Sequence, residues 1–260
     1  MSEKKRDGTK SLGLGIFVGI VMLCYSIWRI FFTLPLPGKE GWLAFFGGLL
    51  LLIAEIFSSY EAMTHYLAQR DVWEPEMPEI PEDWYPDVDV FISTHNEDTE
   101  LLFKTANACT MLHYPDPSKV HVYLCDDTAR PEVEELAKKL GVGYFGLKNN
   151  KFAKAGNINN ALSKSHSPLI ATFDADMIPK SNFLMETIPY FFLPRMKRDE
   201  EGNWLVKSPE EIDEKEEVGF IQTPQAFYNP DLFQYNLYAE KRVPNEQDYF
   251  FRQVNIGKNS

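Results

Sequence analysis

Leu169-Ile-Ala-Thr-Phe-Asp-Ala-Asp-Met-Ile-Pro179 is the stretch around which the chain can be read. Its apolar run has strand length and is apolar on both faces, as a strand buried in a parallel sheet should be. The run ends in Asp174-Ala175-Asp176 and is stopped by Pro179. Such a strand delivers its last residues to the carboxyl edge of the sheet, where open α/β folds bind ligands. Residues i and i+2 of a strand point to one side, roughly 6–7 Å apart. Asp174 and Asp176 are therefore expected to face one site together. Two carboxylates that close repel each other unless a cation lies between them. An oxygen-only pair suits a hard ion, Mg²⁺ or Mn²⁺, shared with a diphosphate. Alone, Asp-x-Asp is also what a solvated turn after a strand looks like; the neighbouring segments decide.

On both sides a strand–loop–helix unit repeats. A strand is expected over 88–93, a loop at Thr94-His-Asn-Glu-Asp98 and a helix over 100–111. A second strand, 121–125, ends at Asp126-Asp127. An amphipathic helix follows over 131–140, with Pro131 in its first turn and Gly141 after its end. A third strand over 142–147 leads to Lys154-Ala-Gly-Asn157, which opens a helix running to 162. The Asp-Ala-Asp strand is fourth, a helix over 182–192 comes next, and a fifth strand is expected over 218–223. Residues 195–217 carry charges of both signs without an apolar period and read as a solvated insertion. Strands alternating with helices predict an α/β fold with right-handed crossovers and a mainly parallel sheet.

Three polar clusters thus follow three strand ends: Thr94-His-Asn-Glu97, Asp126-Asp127 and Asp174-Ala-Asp176. In a doubly wound sheet these rims face one crevice. A loop of hydroxyl, ring and carboxylate beside a second loop of carboxylate suits a nucleoside. His95 is either a ring stacked on a base or an ordinary loop histidine. Asp126 is favoured over Asp127 if it continues the strand; the other reading of the pair is an acidic turn or N-cap. Lys154 before a helix start, with the open N–H groups there, makes an anion site, or else is a surface lysine. Gly156 would let the backbone approach a ligand closely. The chain lacks G-x-G-x-x-G, G-x-x-x-x-G-K-[ST] and G-x-S-x-G, which argues against dinucleotide, P-loop and serine-elbow chemistry.

The N-terminal region is of another kind. Residues 1–11 are polar, with Lys4, Lys5, Arg6 and Lys10. Residues 12–34 are mostly apolar and exceed the roughly 20 residues that one membrane crossing needs. Arg29 lies near the far end, where its stem is expected to snorkel to the interface. A turn rich in breakers, Leu34-Pro-Leu-Pro-Gly-Lys-Glu-Gly41, precedes a second apolar stretch over 42–60, with Glu55 near its exit. Trp28 and Trp42 suit interfacial belts. The length of the first run, and the second run at once after it, argue against a cleaved signal peptide. Basic residues before the first span favour a cytoplasmic N-terminus, so two crossings return the chain to the cytoplasm. Residues 61–71 continue as a polar helix. Pro75, Pro78, Pro81 and Pro86 among acidic residues read as an extended linker. The expected organisation is a cytoplasmic N-terminus over 1–11, a transmembrane hairpin over 12–60, a polar helix and linker over 61–86, and a soluble domain over 87–260.

The 260 residues carry a net charge of -12 and no basic patch, which argues against nucleic acid as a partner. Cys24, Cys109 and Cys125 form no C-x-x-C pair and no zinc spacing; they read as small buried groups in a reducing compartment.

Val88-Asp-Val-Phe-Ile-Ser-Thr-His-Asn-Glu97, Cys125-Asp-Asp127, Lys154-Ala-Gly-Asn157, Phe173-Asp-Ala-Asp176 and Gln222-Thr-Pro-Gln-Ala-Phe-Tyr-Asn-Pro-Asp231 occur in the order and spacing of family 2 glycosyltransferases. From about residue 87 onward the chain resembles the bacterial cellulose synthase catalytic subunit and its membrane-embedded relatives, and two preceding transmembrane segments agree with that. The resemblance implies a GT-A fold and an inverting, metal-dependent transfer of a sugar, glucose by family default, from a UDP-sugar donor to a polysaccharide acceptor. It implies a multi-pass plasma-membrane protein with a cytoplasmic catalytic domain and accessory subunits of a synthase complex. Thr94, His95 and Glu97 would lie by the uridine, where many relatives have an aromatic in place of His95. Asp126 and Asp127 would hold the nucleoside and Lys154 would lie by the diphosphate. Asp174 and Asp176 would bind Mg²⁺ or Mn²⁺, and Gln222, Thr223 and Pro224 would border the acceptor channel.

The family's Thr-Glu-Asp motif, which supplies the general base, and its Gln-x-x-Arg-Trp motif are not in this sequence. Asn96-Glu97-Asp98 is no substitute, because it occupies the first-strand loop. The base is therefore expected beyond Ser260, and the chain is expected to be the N-terminal part of a longer enzyme or a truncated reading frame. It would bind a UDP-sugar without turning it over. The rival readings are a non-processive transferase acting on a lipid or oligosaccharide acceptor, a phosphohydrolase with an aspartyl nucleophile, and a non-catalytic nucleotide-sugar-binding membrane protein. A phosphohydrolase would place Asp-x-Asp after the first strand, whereas here it follows the fourth.

Overall fold

The computed structural model describes residues 3–5, 12–68, 73–243, 245, 247 and 250–255. Contacts divide the chain into two compact units, Met77–Ile221 and a second made of Met1–Glu76 with Gln222–Ser260. The boundary expected at 86/87 falls inside the first unit, and the region expected as one domain, 87–260, is shared between the two.

The first unit is built on four parallel strands: β1 (Val88–Thr94), β2 (Val120–Asp126), β3 (Gly143–Gly146) and β4 (Leu169–Asp174), in the order β3-β2-β1-β4. Pleating sorts the side chains onto two faces. Val88, Val90 and Ile92 share one face with Val122, Leu124, Ala171 and Phe173. That face is covered by Leu102, Ala106 and Cys109 of α3 (Thr99–Thr110), Val133 and Ala137 of α4 (Pro131–Leu140), and Leu184 of α6 (Phe183–Thr187). The opposite face presents Phe91 and Cys125, covered by Ala161 and Ile158 of α5 (Ala153–Leu162). Val90, Ile92, Leu102 and Leu124 are fully buried; each contributes about 1.5–3 kcal/mol by leaving water. Gly143 is required where it stands, because a Cβ there would come within 2.2 Å of the Tyr123 ring, which stacks on Phe145.

Local signals set the helix ends. Asp98 caps α3 by accepting from the Glu100 amide at 2.8 Å. The α4 helix opens on Pro131, carries Glu132 and Glu134 in its first turn and Lys138 and Lys139 in its last, and closes on left-handed Gly141. The helix expected over 182–192 is α-helical only to Thr187 and continues as a 3₁₀ helix, Ile188–Arg195, because Pro189 has no N–H for the α pattern. The expected insertion is more ordered than its charge pattern suggests. Strands β5 (Met196–Arg198) and β6 (Trp204–Val206) form an antiparallel hairpin, with the Arg198 guanidinium 4.1 Å from the Trp204 ring centre. The fifth strand expected over 218–223 is not formed. A strand exists through its ladder, and among the described residues no strand pairs with this segment, so its apolar alternation does not suffice.

In the second unit, α1 (Leu12–Trp28) runs on through a π-helical turn, Arg29–Thr33, and a one-turn helix, Pro37–Glu40, leads to α2 (Trp42–Ala68). The spans Leu12–Thr33 and Trp42–Ala68 are long and apolar enough to cross a membrane. They lie antiparallel, with Gly15 against Tyr66 and Gly19 against Met63. Arg29 does not snorkel alone: its Nε donates to Glu55 at 2.8 Å and its Nη1 to Thr33 at 2.7 Å. Two charges inside apolar spans neutralise each other, which lowers the cost of both. Glu3–Lys5 pair with Trp73–Pro75; the rest of the polar N-terminus and residues 69–71 of the expected polar helix lie outside the described residues. A short helix, α7 (Leu232–Asn236), is capped by Asp231.

Candidate active site

The carboxyl rim of the sheet gathers the first three polar clusters. Thr94 of β1 is in register with Asp126 of β2, and Ser93 of β1 with Asp174 of β4. Asp126 and Asp174 thus flank the central strand about 10 Å apart, two strand spacings. The register also assigns their faces. Thr94 and Asp126 point to the α3/α4 face; Ser93, Cys125 and Asp174 point to the α5 face. The expectation that both carboxylates turn into one crevice is therefore corrected: they leave the sheet on opposite sides of one rim.

On the α3/α4 face, Asp126 is fully buried. Its carboxylate faces five donors: the Thr128 amide (3.3 Å) and hydroxyl (2.9 Å), the Arg130 amide (2.5 Å) and Nε (3.3 Å), and the Tyr144 hydroxyl (3.3 Å). Burial, with the Asp126 charge beside it, pushes the Tyr144 hydroxyl up to about 12, so it stays a donor. Thr94 Oγ1 donates to Glu97 Oε2 at 2.8 Å, and the His95 amide donates to the same oxygen at 2.6 Å. Burial pushes the Glu97 carboxyl up, but the His95 amide, the Thr94 hydroxyl and the Arg130 charge outweigh it and hold it below the ordinary glutamate range. Asp127, its side chain only 9% exposed, lies with Oδ1 2.6 Å from Nδ1 of the exposed His95 ring.

On the α5 face, Lys154 Nζ pairs with Asp174 Oδ1, both partly exposed. The first turn of α5 has no side-chain cap, so its N–H groups stay open. Beneath them the buried Asn157 donates to Cys125 O at 2.6 Å, and its Oδ1 and the Ser93 hydroxyl, both buried, have no protein partner. The space that Gly156 leaves is used by Asn150: a Cβ at 156 would meet Asn150 Oδ1 at 2.2 Å. The strand ends at Asp174, and Ala175 and Asp176 form a turn. Asp176 therefore does not share the strand's alternation; the turn, with Ala175 buried and Asp176 exposed, places it at the surface. Two surface carboxylates supply hard oxygen donors of the kind Mg²⁺ or Mn²⁺ takes. Among the described residues no group of three or more His, Cys, Asp or Glu could hold a metal alone. The donor set fits an ion whose remaining ligands come from a diphosphate and water. Gln222, Thr223 and Pro224 belong to the other unit, where Gln222 Oε1 accepts from Asn255 at 3.2 Å.

Arg130, Thr128 and Tyr144 were not singled out by the sequence motifs, and Asn157 stood in one of them without a role. Arg130 had one legible signal: a cation just before a helix N-terminus opposes the helix dipole unless something else holds it.

The sequence pattern described as Glycosyl transferase family 2 matches residues 89–196, which span β1 to β4 and the rim. The chain carries a cellulose synthase-like family 2 glycosyltransferase domain. Over 252 residues, 95% of this chain, it is 33% identical to the cellulose synthase catalytic subunit [UDP-forming] of Pseudomonas fluorescens. Over 250 residues, 94% of the chain, it is 32% identical to cellulose synthase 1 of Komagataeibacter xylinus. It spans 30% of the first relative's length and 14% of the second's. Among solved structures, a mannosyltransferase from Pyrobaculum calidifontis in complex with GDP-Man and Mn²⁺ aligns with a TM-score of 0.41 at 15% identity, covering 68% of this chain and 44% of that one. The family 2 domain and its parallel sheet, with helices on both faces, give the chain a GT-A class.

Proposed function

We propose that this chain is the donor-binding part of a membrane-anchored, inverting family 2 glycosyltransferase. It takes a UDP-sugar, glucose by the cellulose synthase likeness, for transfer to a growing polysaccharide. The observation that carries the reading is the Lys154–Asp174 pair at the open start of α5, beside Asp176 and inside the family 2 domain. Asp174 and Asp176 are the residues that would hold Mg²⁺ or Mn²⁺. When bound, the dication stabilises the charge that develops on the departing UDP. Lys154, which pairs with Asp174 at the open start of α5, would offer its charge to the diphosphate beside the α5 amides. His95 and Asp127 take the uridine side, and Gln222, Thr223 and Pro224 the acceptor side. The two apolar spans anchor the chain in the plasma membrane as a multi-pass protein with the family 2 domain in the cytoplasm, where accessory subunits of a synthase complex would reach it.

Calorimetry of UDP on the full chain in detergent, with and without Mn²⁺, tests the reading. Binding is expected with Mn²⁺ and is expected to fall by about 100-fold in Asp174→Ala, the loss of one strong charged contact. UDP binding that ignores both the dication and the substitution would overturn it.

A further inference from the structure

We propose that Arg130 is a positioning residue for the nucleoside side of the donor site, acting through His95; this rests on the UDP-sugar reading above. Arg130 ties together the loops that follow β1 and β2, where the Asp127 amide also donates to Thr94 O at 3.2 Å. Its Nη2 donates to Thr94 Oγ1 at 2.7 Å and its Nη1 to Glu97 O at 2.8 Å, both in the loop after β1. Its Nε and its amide reach Asp126 at the end of β2. A guanidinium is a rigid fork and serves several acceptors at once, which an ammonium on a flexible stem does not.

What lies at the end of this net separates positioning from simple stability. The Glu97 carboxylate that Thr94 feeds also accepts the His95 amide. On the carbonyl side, Thr128 Oγ1 lies 3.0 Å from His95 O and 2.9 Å from Asp126 Oδ1, so its one hydrogen is shared between them. The ring is held by Asp127. Backbone N–H, backbone C=O and ring of one residue are therefore each fixed by the net, while the His95 side chain stays 61% exposed. A clamp that served only the core would end in the core; this one ends on a ring offered to solvent. The turn that brings the Thr128 and Arg130 amides to Asp126 passes through Ala129 at φ 54°. A left-handed alanine costs about 1 kcal/mol and persists where surrounding bonds hold it.

The test uses the full chain and two probes, UDP and inorganic pyrophosphate, each with Mn²⁺. Arg130→Lys is expected to weaken UDP by about tenfold, the cost of losing charged hydrogen bonds, and to leave pyrophosphate within about twofold. Thr128→Val, which removes only the hydroxyl, is expected to weaken UDP by about two- to threefold with pyrophosphate unchanged; it carries the same pair of measurements if Arg130→Lys does not fold. Arg130→Lys that weakens both probes equally, or neither, overturns the inference. Wild type that binds no UDP overturns the donor reading instead.

Discussion

The two sides of the rim differ in how far the protein itself completes them. On the α3/α4 face Asp126 is buried among five donors, and Arg130, Thr94, Glu97 and Thr128 close a net around His95. On the α5 face Lys154 and Asp174 have each other and solvent, Asp176 is exposed, and the helix start is uncapped. One side is preorganised and orders nothing on binding; the other offers charges and open amides that an anion and a dication would complete. Preorganisation favours affinity by lowering the ordering cost, whereas open charge favours a ligand that brings its own counterion.

The largest effect that could break this comparison is on stability. Asp126→Ala leaves Arg130 Nε and two amides without their acceptor and the guanidinium without its carboxylate, and is expected to cost about 3–5 kcal/mol, as removal of one partner of a buried pair does. Urea unfolding measures it, and a cost under about 1 kcal/mol would mean that the buried net is not structural. Asp174→Ala should show the reverse profile. Its ion pair is partly exposed, so the unfolding midpoint should move little, by under about 1 kcal/mol, against the large loss of UDP affinity given above. Lys154→Met comes next: about a tenfold loss of UDP affinity, again with little change in stability. A Lys154→Met variant that binds UDP as wild type does would remove the phosphate side from the comparison.

The strands and helices that make the rim were legible because period and punctuation agree there. Continuous apolar runs gave the four strands, and Pro131 and Gly141 bracketed α4. The segment over 218–223 shows the limit: alternation states a preference, but a strand also needs a neighbour. The acidic clusters were visible as residue types at strand ends. Their facing was not, because a one-position offset in register, Thr94 with Asp126 but Ser93 with Asp174, sends the two carboxylates to opposite faces. Arg130 was hidden for the same reason, since its partners lie 33 and 36 positions away in the chain. Arg29 and Glu55 are 26 positions apart, and each alone reads as an interfacial residue.

The smallest expected effect concerns pH and sharpens the closed side. The folded Glu97 carboxyl lies below its ordinary value because the His95 amide, the Thr94 hydroxyl and Arg130 together outweigh burial. A depressed carboxyl contributes its full stabilisation above the unfolded value and loses it as pH falls through the lowered folded value. The His95 backbone should then loosen on acidification while the core stays folded. UDP affinity measured from neutral pH downward should fall in wild type on that acid limb. Glu97→Gln keeps the shape of the side chain and removes the titration, so its affinity should start lower and change less with pH. Equal acid limbs in the two proteins would show that the carboxylate under His95 does not set its position, and that the net is held by Arg130 and Asp126 alone.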